Sequence, residues 1–330
     1  MSVRQQDIAR YLGVSLGTVS LALRNSPQVS LEMRQGVQRA AAELGYVYRP
    51  RENQTAEVKH LAFISGAQAS NFFYTGVLQG IEQACRERKI TLHYSLLKDI
   101  TAHSLEQYRA NDALLIAGFV DPAMVRELKN LELPTVLIDT NLSQMGLERV
   151  EIENFGNSYR AAEYLMAAGH RRIAFLCGPP PERFSSFDTR YYGYRSAVLD
   201  QGLEPYAIHG LTEPILKTSE QVMKRWLAEH GKPEFTALMC CNDEAAIGAL
   251  LALQSAGVQV PQDVSIIGFD DIEMAQVVRP ALTTFNVDRT FLGSLAVERV
   301  VERFHHPEKA FQSTLIEATL VERDSTRALF

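Results

Sequence analysis

The sequence predicts a small all-α helix-turn-helix head followed by a two-lobed α/β core built on parallel sheets. Three observations predict this fold class. Residues 7–46 carry apolar side chains at helical spacing, residues 49–59 are polar and marked by proline, and from residue 60 onward short apolar runs alternate with amphipathic segments. A chain of 330 residues is long enough for two or three domains.

The head predicts three short helices. Their apolar faces are formed by Ile8, Ala9 and Leu12, by Val19, Ala22 and Leu23, and by Val37, Ala40, Ala41 and Leu44. Gly13 stops the first helix, Ser15 is a good N-cap for the second, and Ser30 caps the third. Two short helices joined by a tight glycine-containing turn form a helix-turn-helix, which lies in a DNA major groove. The head therefore predicts a transcription factor.

Charge is divided unevenly between the head and the rest of the chain. Residues 1–51 hold seven arginines against three acidic residues, a net charge of +4, and the remainder carries −10. A basic head on an acidic body suits a DNA-binding head and a body that does not adhere to DNA. A small helical domain also reaches such a charge by chance, so charge alone decides nothing.

Composition excludes several other classes. The N-terminal MSVRQQD has no apolar segment, and no apolar run approaches the ~20 residues that span a bilayer, so we expect a cytoplasmic protein without a membrane partner. The four cysteines, Cys85, Cys177, Cys240 and Cys241, lack metal-like spacing and are predicted to be buried and reduced. The pair His305-His306 is only weak evidence for a metal site, and we expect it at a solvent-exposed helix end. We expect neither a cofactor nor a metal.

The body after residue 60 predicts an alternation of strands and helices. The predicted strands are 61–65, 91–96, 112–117, 135–139, 149–152, 172–177, 236–241, 263–267 and 313–321, and the predicted helices are 72–88, 122–130, 156–168, 189–201, 218–229, 243–256 and 289–304. Regular alternation of strands and helices implies parallel sheets covered by helices on both faces. The body has about 270 residues, which is large for one domain built on a single such sheet and therefore favours two lobes. The phosphate-binding patterns GxGxxG (after the first strand) and GxxxxGK[ST] are absent.

Polar and aromatic residues follow the predicted strands, where ligands of open α/β sheets bind. These candidates are Phe72, Phe73 and Tyr74 after the first strand, Asp139 after VLID, Arg190 after a long loop, Asn242 and Asp243 after ALMCC, and Asp270 and Asp271 after SIIGF. Aromatic faces together with carboxylate, amide and guanidinium groups suit a polyhydroxylated ligand.

Each candidate also has a purely structural interpretation. Asn242 and Asp243 serve equally well as helix caps, and Phe73 as a core residue. Arg190 can pair with an acid on its own helix, and Asp270-Asp271 can be turn residues. Their shared position at strand carboxyl ends favours the joint functional interpretation.

Together these segments resemble the LacI/GalR family of bacterial transcription regulators over essentially the whole chain. The resemblance rests on DIARYLGVSLGTVSLALRNSPQVS and AAELGY in the head, and on NFFYTGVLQGIEQA, LPTVLID, GHRRIAFLCGPP, RYYGYRSAV, ALMCCNDEAAIGALLALQSAGVQVPQDVSIIGFDD and RPALTTFNVD in the body. It implies a helix-turn-helix domain at 1–48, a hinge at 49–59 and, at 60–330, an effector-binding and dimerisation core similar to periplasmic sugar-binding proteins. The first lobe is expected at about 60–155 and 286–309, and the second at about 156–285 and 310–327.

The resemblance also implies a homodimer on a palindromic operator, with a small molecule between the lobes altering the affinity for DNA. By the matched motifs, Arg190, Asn242 and Asp270 would be polar clamps on that effector, while Phe73 and Tyr74 stand where the family has an aromatic wall. The full set of predicted effector-binding residues is Phe72, Phe73, Tyr74, Asp139, Arg190, Asn242, Asp243 and Asp270.

Three departures from the family pattern bear on DNA recognition and on the first lobe. The hinge YRPRENQTAE has no leucine for the minor groove. The recognition helix offers Leu16, Gly17 and Leu21, and a leucine cannot make the bidentate guanine contact. The stretch between the second and third strands is short, so its helix is expected to be trimmed or missing. The predicted DNA-binding residues are Gln6, Ser15, Leu16, Gly17, Thr18, Ser20, Leu21, Asn25 and Arg51.

The sequence thus predicts a ligand-gated transcriptional regulator, more specifically a repressor, that binds operator DNA and a small-molecule effector. The resemblance favours a carbohydrate because the family mostly binds sugars, but Arg190 also suits a sugar acid, a phosphate or a purine. The alternative is a sugar-binding module that has lost sequence-specific DNA binding. An enzyme is a distant third: Asp243 and the Asp270-Asp271 pair resemble glycosidase carboxylates, but GxSxG and HExxH are absent.

Overall fold

The computed structural model describes residues 5–23, 29–44, 46, 57–66, 71–97, 100, 105–118, 120–140, 142–178, 186–212 and 215–330. The chain divides into two compact units, residues 1–57 and residues 58–330. Here the first unit is termed the head and the second the core.

The head contains the three predicted helices: α1 (Gln5–Leu12), α2 (Leu16–Leu23) and α3 (Leu31–Glu43). Gly13 has a φ of 65°, the left-handed conformation that ends α1 at little cost because glycine has no Cβ. Ser15 Oγ accepts a hydrogen bond of 3.0 Å from the backbone N–H of Thr18, and Ser30 Oγ accepts one from Met33. The predicted caps are therefore confirmed.

The head is held together by a small apolar core. Ile8, Val19 and Val37, one from each helix, are fully buried against one another. The predicted core residues Ala9, Ala22, Leu23, Ala40 and Ala41 are also buried in this cluster. The helical spacing of apolar residues thus identified the packed faces correctly.

The core alternates strands and helices. In chain order its strands are β1 (His60–Ser65), β2 (Thr91–Leu96), β3 (Ala113–Ala117), β4 (Thr135–Ile138), β5 (Glu148–Ile152), β6 (Ile173–Leu176), β7 (Tyr206–Ile208), β8 (Ala237–Cys240), β9 (Ser265–Ile267), β10 (Thr284–Asn286), β11 (Ser313–Ile316) and β12 (Thr319–Val321). Its α-helices are α4 (Phe72–Arg88), α5 (Pro122–Lys129), α6 (Asn154–Ala167), α7 (Ser186–Asp200), α8 (Ile215–His230), α9 (Asp243–Ser255), α10 (Glu273–Val277) and α11 (Arg289–His305).

The first lobe is a six-stranded parallel sheet in the order β11-β5-β4-β3-β1-β2 with α4, α5 and α11. The helices α4 and α11 cross at close range through two glycines. A Cβ on Gly80 would lie 2.0 Å from the Thr290 carbonyl oxygen, and a Cβ on Gly293 would lie 2.1 Å from that of Val77. This contact fixes α11, which comes from late in the chain, to the first lobe.

The second lobe is a four-stranded parallel sheet in the order β7-β6-β8-β9 with α6, α7, α8 and α9. Tyr194 on α7 is fully buried, and its hydroxyl donates a hydrogen bond of 2.7 Å to the Ile173 carbonyl at the start of β6. The antiparallel pair β10-β12 lies beside β9, and the C-terminal segment binds the same strand because Ile266 N–H donates to the Ser325 carbonyl.

The chain therefore crosses between the lobes three times: between β5 and α6, between β10 and α11, and between β11 and β12. The first two crossings agree with the predicted positions near residues 155 and 286. The third differs, because β11 pairs with β5 in the first sheet, so the second lobe resumes after Ile316 rather than at about residue 310. The predicted single strand 313–321 is for the same reason two strands, interrupted where the chain leaves one sheet for the other.

The short connection between β2 and β3 contains a 3₁₀-helix, Leu105–Ala110, among its described residues. The prediction that the helix at this position is trimmed is consistent with that element. The short strands β7 and β10 and the five-residue α10 were not predicted, since elements of this length show no period. Among the described residues, none of the helices is both long and apolar enough to span a membrane.

Candidate functional site

The predicted polar residues of the core lie at the carboxyl ends of strands from both lobes. Asp139 follows β4 of the first lobe, and Asn242 and Asp270 follow β8 and β9 of the second. Asp139 and Asp270 have φ values of 47° and 109°, a conformation that side-chain-bearing residues adopt rarely and often at functional sites. These positions direct attention to the junction between the two sheets.

Arg190, in the first turns of α7, is the centre of this junction and is 2% exposed. Its Nε donates 2.7 Å to Asn154 Oδ1, and its Nη1 donates 2.6 Å to the Cys241 carbonyl. Its Nη2 lies 3.3 Å from Asp270 Oδ1, and the guanidinium carbon lies 3.8 Å from the centre of the Phe269 ring. Its carboxylate partner is thus on another element, not on its own helix.

Asn154 continues this network into the first lobe. It is the first residue of α6, and its Nδ2 donates 3.2 Å to Asp139 Oδ1. The contacts Asp139–Asn154–Arg190–Asp270 therefore form one buried chain that joins the end of β4 in the first lobe to the end of β9 in the second.

Burial controls the ionisation of the acids in this chain. Burial raises the pKa of Asp270 to about 7, against the opposing attraction of the Arg190 guanidinium. Burial likewise raises the pKa of Asp139 above its usual value, while Arg190 and the Asn154 hydrogen bond lower it. One guanidinium thus serves two carboxyl groups, so the junction offers little free positive charge from Arg190.

Two buried polar atoms at this junction have no hydrogen-bond partner among the described residues. Asp270 Oδ1, despite its ionic contact with Arg190, receives no well-aligned hydrogen bond, and Thr140 Oγ1, directly after Asp139, has no partner. Unsatisfied polar atoms are rare in folded proteins because each forfeits a hydrogen bond to water. Asp270 Oδ1 can accept, and Thr140 Oγ1 can donate or accept, one further hydrogen bond.

Asn242 and Asp243 have structural contacts. Asn242 Oδ1 caps α9 by accepting 2.9 Å from the Ala245 N–H. Asp243 is fully buried, with Oδ2 accepting 2.9 Å from Ile272 N–H and Oδ1 accepting 2.5 Å from the Thr284 hydroxyl. Since both of its oxygens are engaged within the protein, Asp243 supports the loop that carries Asp270, and its role as an effector ligand stays a prediction.

Asp271 supports the same loop from the other side. Its Oδ1 accepts 2.6 Å from Arg323 Nη2, its Oδ2 accepts 3.0 Å from Asn286 Nδ2, and its carbonyl accepts 3.3 Å from Arg289 Nη2. Because Arg289 begins α11 and packs against Gly76 of α4, this loop lies beside the first turns of α4.

Those first turns of α4 carry the predicted aromatic residues. Asn71 caps the helix by accepting hydrogen bonds from the backbone N–H groups of Phe73 and Tyr74. Phe72 is 45% exposed, whereas Phe73 is 6% exposed and belongs to the core. Tyr74 is half-buried, and its ring packs edge to face with that of Phe73, with the two ring centres 5.0 Å apart. Phe72 is therefore exposed and Tyr74 is partly so, whereas Phe73 packs in the core.

The predicted DNA-binding residues are described in part. Ser15 caps α2 and its hydroxyl lies 2.8 Å from that of Thr18, Gly17 is exposed, and Leu21 packs partly against the head core. Asn25 and Arg51, and the side chains of Gln6, Leu16 and Ser20, lie outside the described residues.

Sequence reasoning missed Asn154 and Thr140. Thr140 comes directly after Asp139, and Asn154 comes two residues after the end of β5. The rule that ligands bind beyond strand carboxyl ends applies to β5 as well, so the same signal would have found Asn154. Within the described part of the chain, no group of three histidine, cysteine or acidic residues is arranged to hold a metal ion.

Two protein families match parts of this chain. Residues 5–48 match the family described as bacterial regulatory proteins, lacI family, and residues 162–326 match the periplasmic binding protein-like domain. The ribose operon repressor of Haemophilus influenzae is 31% identical, with 98% of each chain covered. The chain belongs to the LacI family. The predicted family and fold class are thereby confirmed, and this LacI-family protein is a DNA-binding transcriptional regulator.

Two solved structures show the same fold as this LacI-family chain. A complex of the transcriptional regulator CelR with cellobiose has a TM-score of 0.70 and 25% identity over 98% of this chain and 99% of that one. A LacI-family regulator from Enterococcus faecalis V583 with bound ribose has a TM-score of 0.71 and 25% identity over 82% of this chain and 100% of that one.

Proposed function

We propose that this LacI-family protein is a transcriptional repressor, that it binds a palindromic operator as a homodimer, and that a small neutral sugar bound between its lobes changes its affinity for DNA. The single observation that carries the proposal is the buried chain Asp139–Asn154–Arg190–Asp270, which joins the two lobes. A ligand that bonds to this chain contacts both lobes at once, so its binding free energy depends on how the lobes are arranged.

The chemistry of the junction favours a neutral, hydroxyl-rich effector. Arg190 is already balanced by Asp139 and Asp270, while Asp270 Oδ1 lacks a donor and would accept a hydrogen bond from a hydroxyl group. Phe72 and Tyr74 offer ring faces for the apolar side of a sugar ring. The similar proteins agree with this class, since one is named for a ribose operon and two solved structures hold ribose or cellobiose.

The head supplies the affinity for DNA. The net charge of +4 on residues 1–51 favours phosphate contacts, and the helix-turn-helix places α2 to read base edges. We propose that Ser15, Gly17, Thr18 and Leu21 of the described residues lie at the DNA, and that two heads on a dimer read the two halves of a palindrome. Such a regulator acts where the chromosome is, so we expect it in the cytoplasm.

Two alternatives are less well supported. A sugar-binding module without sequence-specific DNA binding would explain Gly17 and Leu21, whose side chains cannot form hydrogen bonds to base edges. A glycosidase needs two carboxyl groups free to act, whereas Asp243 is engaged by Thr284 and Ile272, and Asp270 is paired with Arg190. We therefore propose that the protein is not an enzyme, and expect no turnover of a panel of glycosides.

The DNA side is tested by selecting bound duplexes from a random library with the full chain at fixed moderate salt. We expect enrichment of one palindrome, because a symmetric dimer presents two related heads. Binding without enrichment that weakens uniformly as salt rises would favour the sugar-binding module instead, since phosphate contacts alone carry no sequence information.

The effector side is tested by thermal unfolding of the full chain with a panel of ribose, cellobiose, other neutral sugars, a sugar acid and a sugar phosphate. We expect a neutral sugar to raise the melting temperature most, because ligand binding to the folded state stabilises it. A larger shift with the sugar acid or the sugar phosphate would contradict the neutral class.

A further inference from the structure

Asn154 occupies a particular place in the fold. It is the first residue of α6, directly after the chain leaves the first sheet for the second lobe, and it is 7% exposed. The helix itself is capped by its neighbour, since Glu153 accepts a hydrogen bond of 3.1 Å from the Asn157 N–H. The Asn154 side chain is therefore not required for capping and is free to serve the junction.

The two ends of the Asn154 amide are used in opposite senses. Its Nδ2 donates 3.2 Å to Asp139 Oδ1, and its Oδ1 accepts 2.7 Å from Arg190 Nε. A neutral amide both donates and accepts, so it can link a carboxylate to a guanidinium without adding charge to a buried site. A carboxylate in its place would repel Asp139, and an alanine would leave Arg190 Nε and Asp139 Oδ1 without these bonds.

Asn154 also sets the orientation of Arg190. The guanidinium plane is held at Nε by Asn154, at Nη1 by the Cys241 carbonyl, and on its face by the Phe269 ring. These three contacts direct Nη2 towards Asp270. Loss of the Nε contact would release one edge of the guanidinium, which is the group that the proposed effector meets.

We infer that Asn154 is a positioning residue that orients Arg190 for the effector and links the two lobes through Asp139. This inference rests on the proposed function and goes beyond it by assigning a role to a residue that does not itself need to contact the sugar.

The test compares Asn154→Ala, Asn154→Asp and a matched control, Asn157→Ala. Asn157 is a buried asparagine on the same helix, and its amide donates to the Glu153 carbonyl rather than to Asp139.

Binding of D-ribose to the full-length proteins is measured by calorimetry over a range of pH. We expect Asn154→Ala to bind ribose about 10- to 100-fold more weakly at every pH, since a hydrogen bond to a charged group is lost. Asn157→Ala is expected to bind ribose as the wild type does.

Asn154→Asp tests the positioning role through the pH dependence of ribose affinity, which a purely structural role of Asn154 would not change. The new carboxyl group faces Asp139, Arg190 and Asp270, with Glu151 also acting on Asp139. At low pH the two acids share a proton, which restores the donor, so we expect ribose affinity to approach that of the wild type. At high pH both are ionised and repel, and affinity falls. Identical pH profiles for the Asp and Ala variants, or wild-type affinity in both, would overturn the inference.

A second measurement separates this inference from the proposed function. If the wild type does not bind ribose, the sugar with the largest thermal shift replaces it, and if no sugar binds, the proposed effector class fails. Melting temperatures without ligand still test the link. Because a shared proton raises the folded-state pKa of the pair, Asn154→Asp should lose stability relative to Asn154→Ala as the pH rises. If the melting temperatures of Asn154→Asp and Asn154→Ala changed equally with pH, a contact between residue 154 and Asp139 would be contradicted.

Discussion

The two lobes contribute to the candidate site in different ways. The second lobe supplies Arg190 and Asp270, whose side chains are buried and form an ion pair with each other. The first lobe supplies Phe72, which is 45% exposed, and Tyr74, which is half-buried. The polar side chains of the second lobe are therefore fixed by packing and pairing, whereas the aromatic side chains of the first lobe keep exposed surface.

The exception to this division is Asp139, a buried acid of the first lobe that reaches Arg190 through Asn154. Through this contact the residues of the two lobes are linked by hydrogen bonds. It explains how a small molecule at the junction can influence the arrangement of the lobes, and through it the spacing of two heads on a dimer.

The largest effect is expected for Arg190→Ala, which removes the polar centre of the second lobe. Asp139 and Asp270 would lose their shared cation, and ribose affinity should fall more than about 100-fold, since removing one partner of a buried charge pair is strongly unfavourable. Arg195→Ala, an exposed arginine on the same helix, is the matched control and should bind as the wild type does. Calorimetry with ribose measures both, and unchanged affinity in Arg190→Ala would remove this residue from the site.

Neighbouring phenylalanines test the first lobe. Phe73→Ala should lower the free energy of unfolding by about 3–5 kcal/mol because its ring is buried in the core. Phe72→Ala should leave stability within about 0.5 kcal/mol of the wild type. It should nevertheless weaken ribose binding by about 3- to 10-fold through loss of a stacking surface. Chemical denaturation and calorimetry distinguish the two, and the comparison fails if Phe72→Ala binds ribose normally.

The smallest effect is expected for the pH dependence of stability. The pKa of Asp270 is about 7 in the folded protein, and about 4 in an unfolded chain. The folded state therefore holds the proton more tightly, so this stabilising contribution is present below about pH 4 and is lost as the pH rises through about 7. Burial acts in the same direction on Asp139 and Asp243.

Asp270→Asn removes the titrating group, so its melting temperature should fall less steeply than that of the wild type between about pH 5 and about pH 7.5. Thermal unfolding at a series of pH values measures this. Equal slopes in the two proteins would mean that Asp270 does not titrate in this range.

Much of the fold could be predicted from the sequence because local patterns determine it. The caps at Ser15 and Ser30 and the glycine after α1 are local signals, and the predicted bounds of α4 agree with the structure at both ends. The third crossing was misplaced because the split between β11 and β12 depends on which sheet each strand joins, a long-range contact that apolar spacing does not encode.

The site was predictable to the level of strand ends but not of side-chain direction. Asp243 and Asp270 follow strands in the same way, yet Asp243 is turned towards Thr284 and Ile272, whereas Asp270 meets Arg190. Likewise, Phe72 and Phe73 are adjacent and differ in exposure because only tertiary packing decides which face of α4 is buried. The position of Asn154 after β5 was predictable, but its contacts with Asp139 and Arg190 were not, because these partners are distant in the chain.

The central claim is that a sugar at the junction of the lobes changes the affinity of the heads for DNA. Its most direct test is a titration of the selected palindromic duplex with the full chain, followed by fluorescence anisotropy, with and without a saturating amount of the sugar that binds. We expect the sugar to change operator affinity at least about 10-fold in the wild type and to have no effect in Arg190→Ala. A sugar that binds the wild type between the lobes and leaves operator affinity unchanged would contradict it.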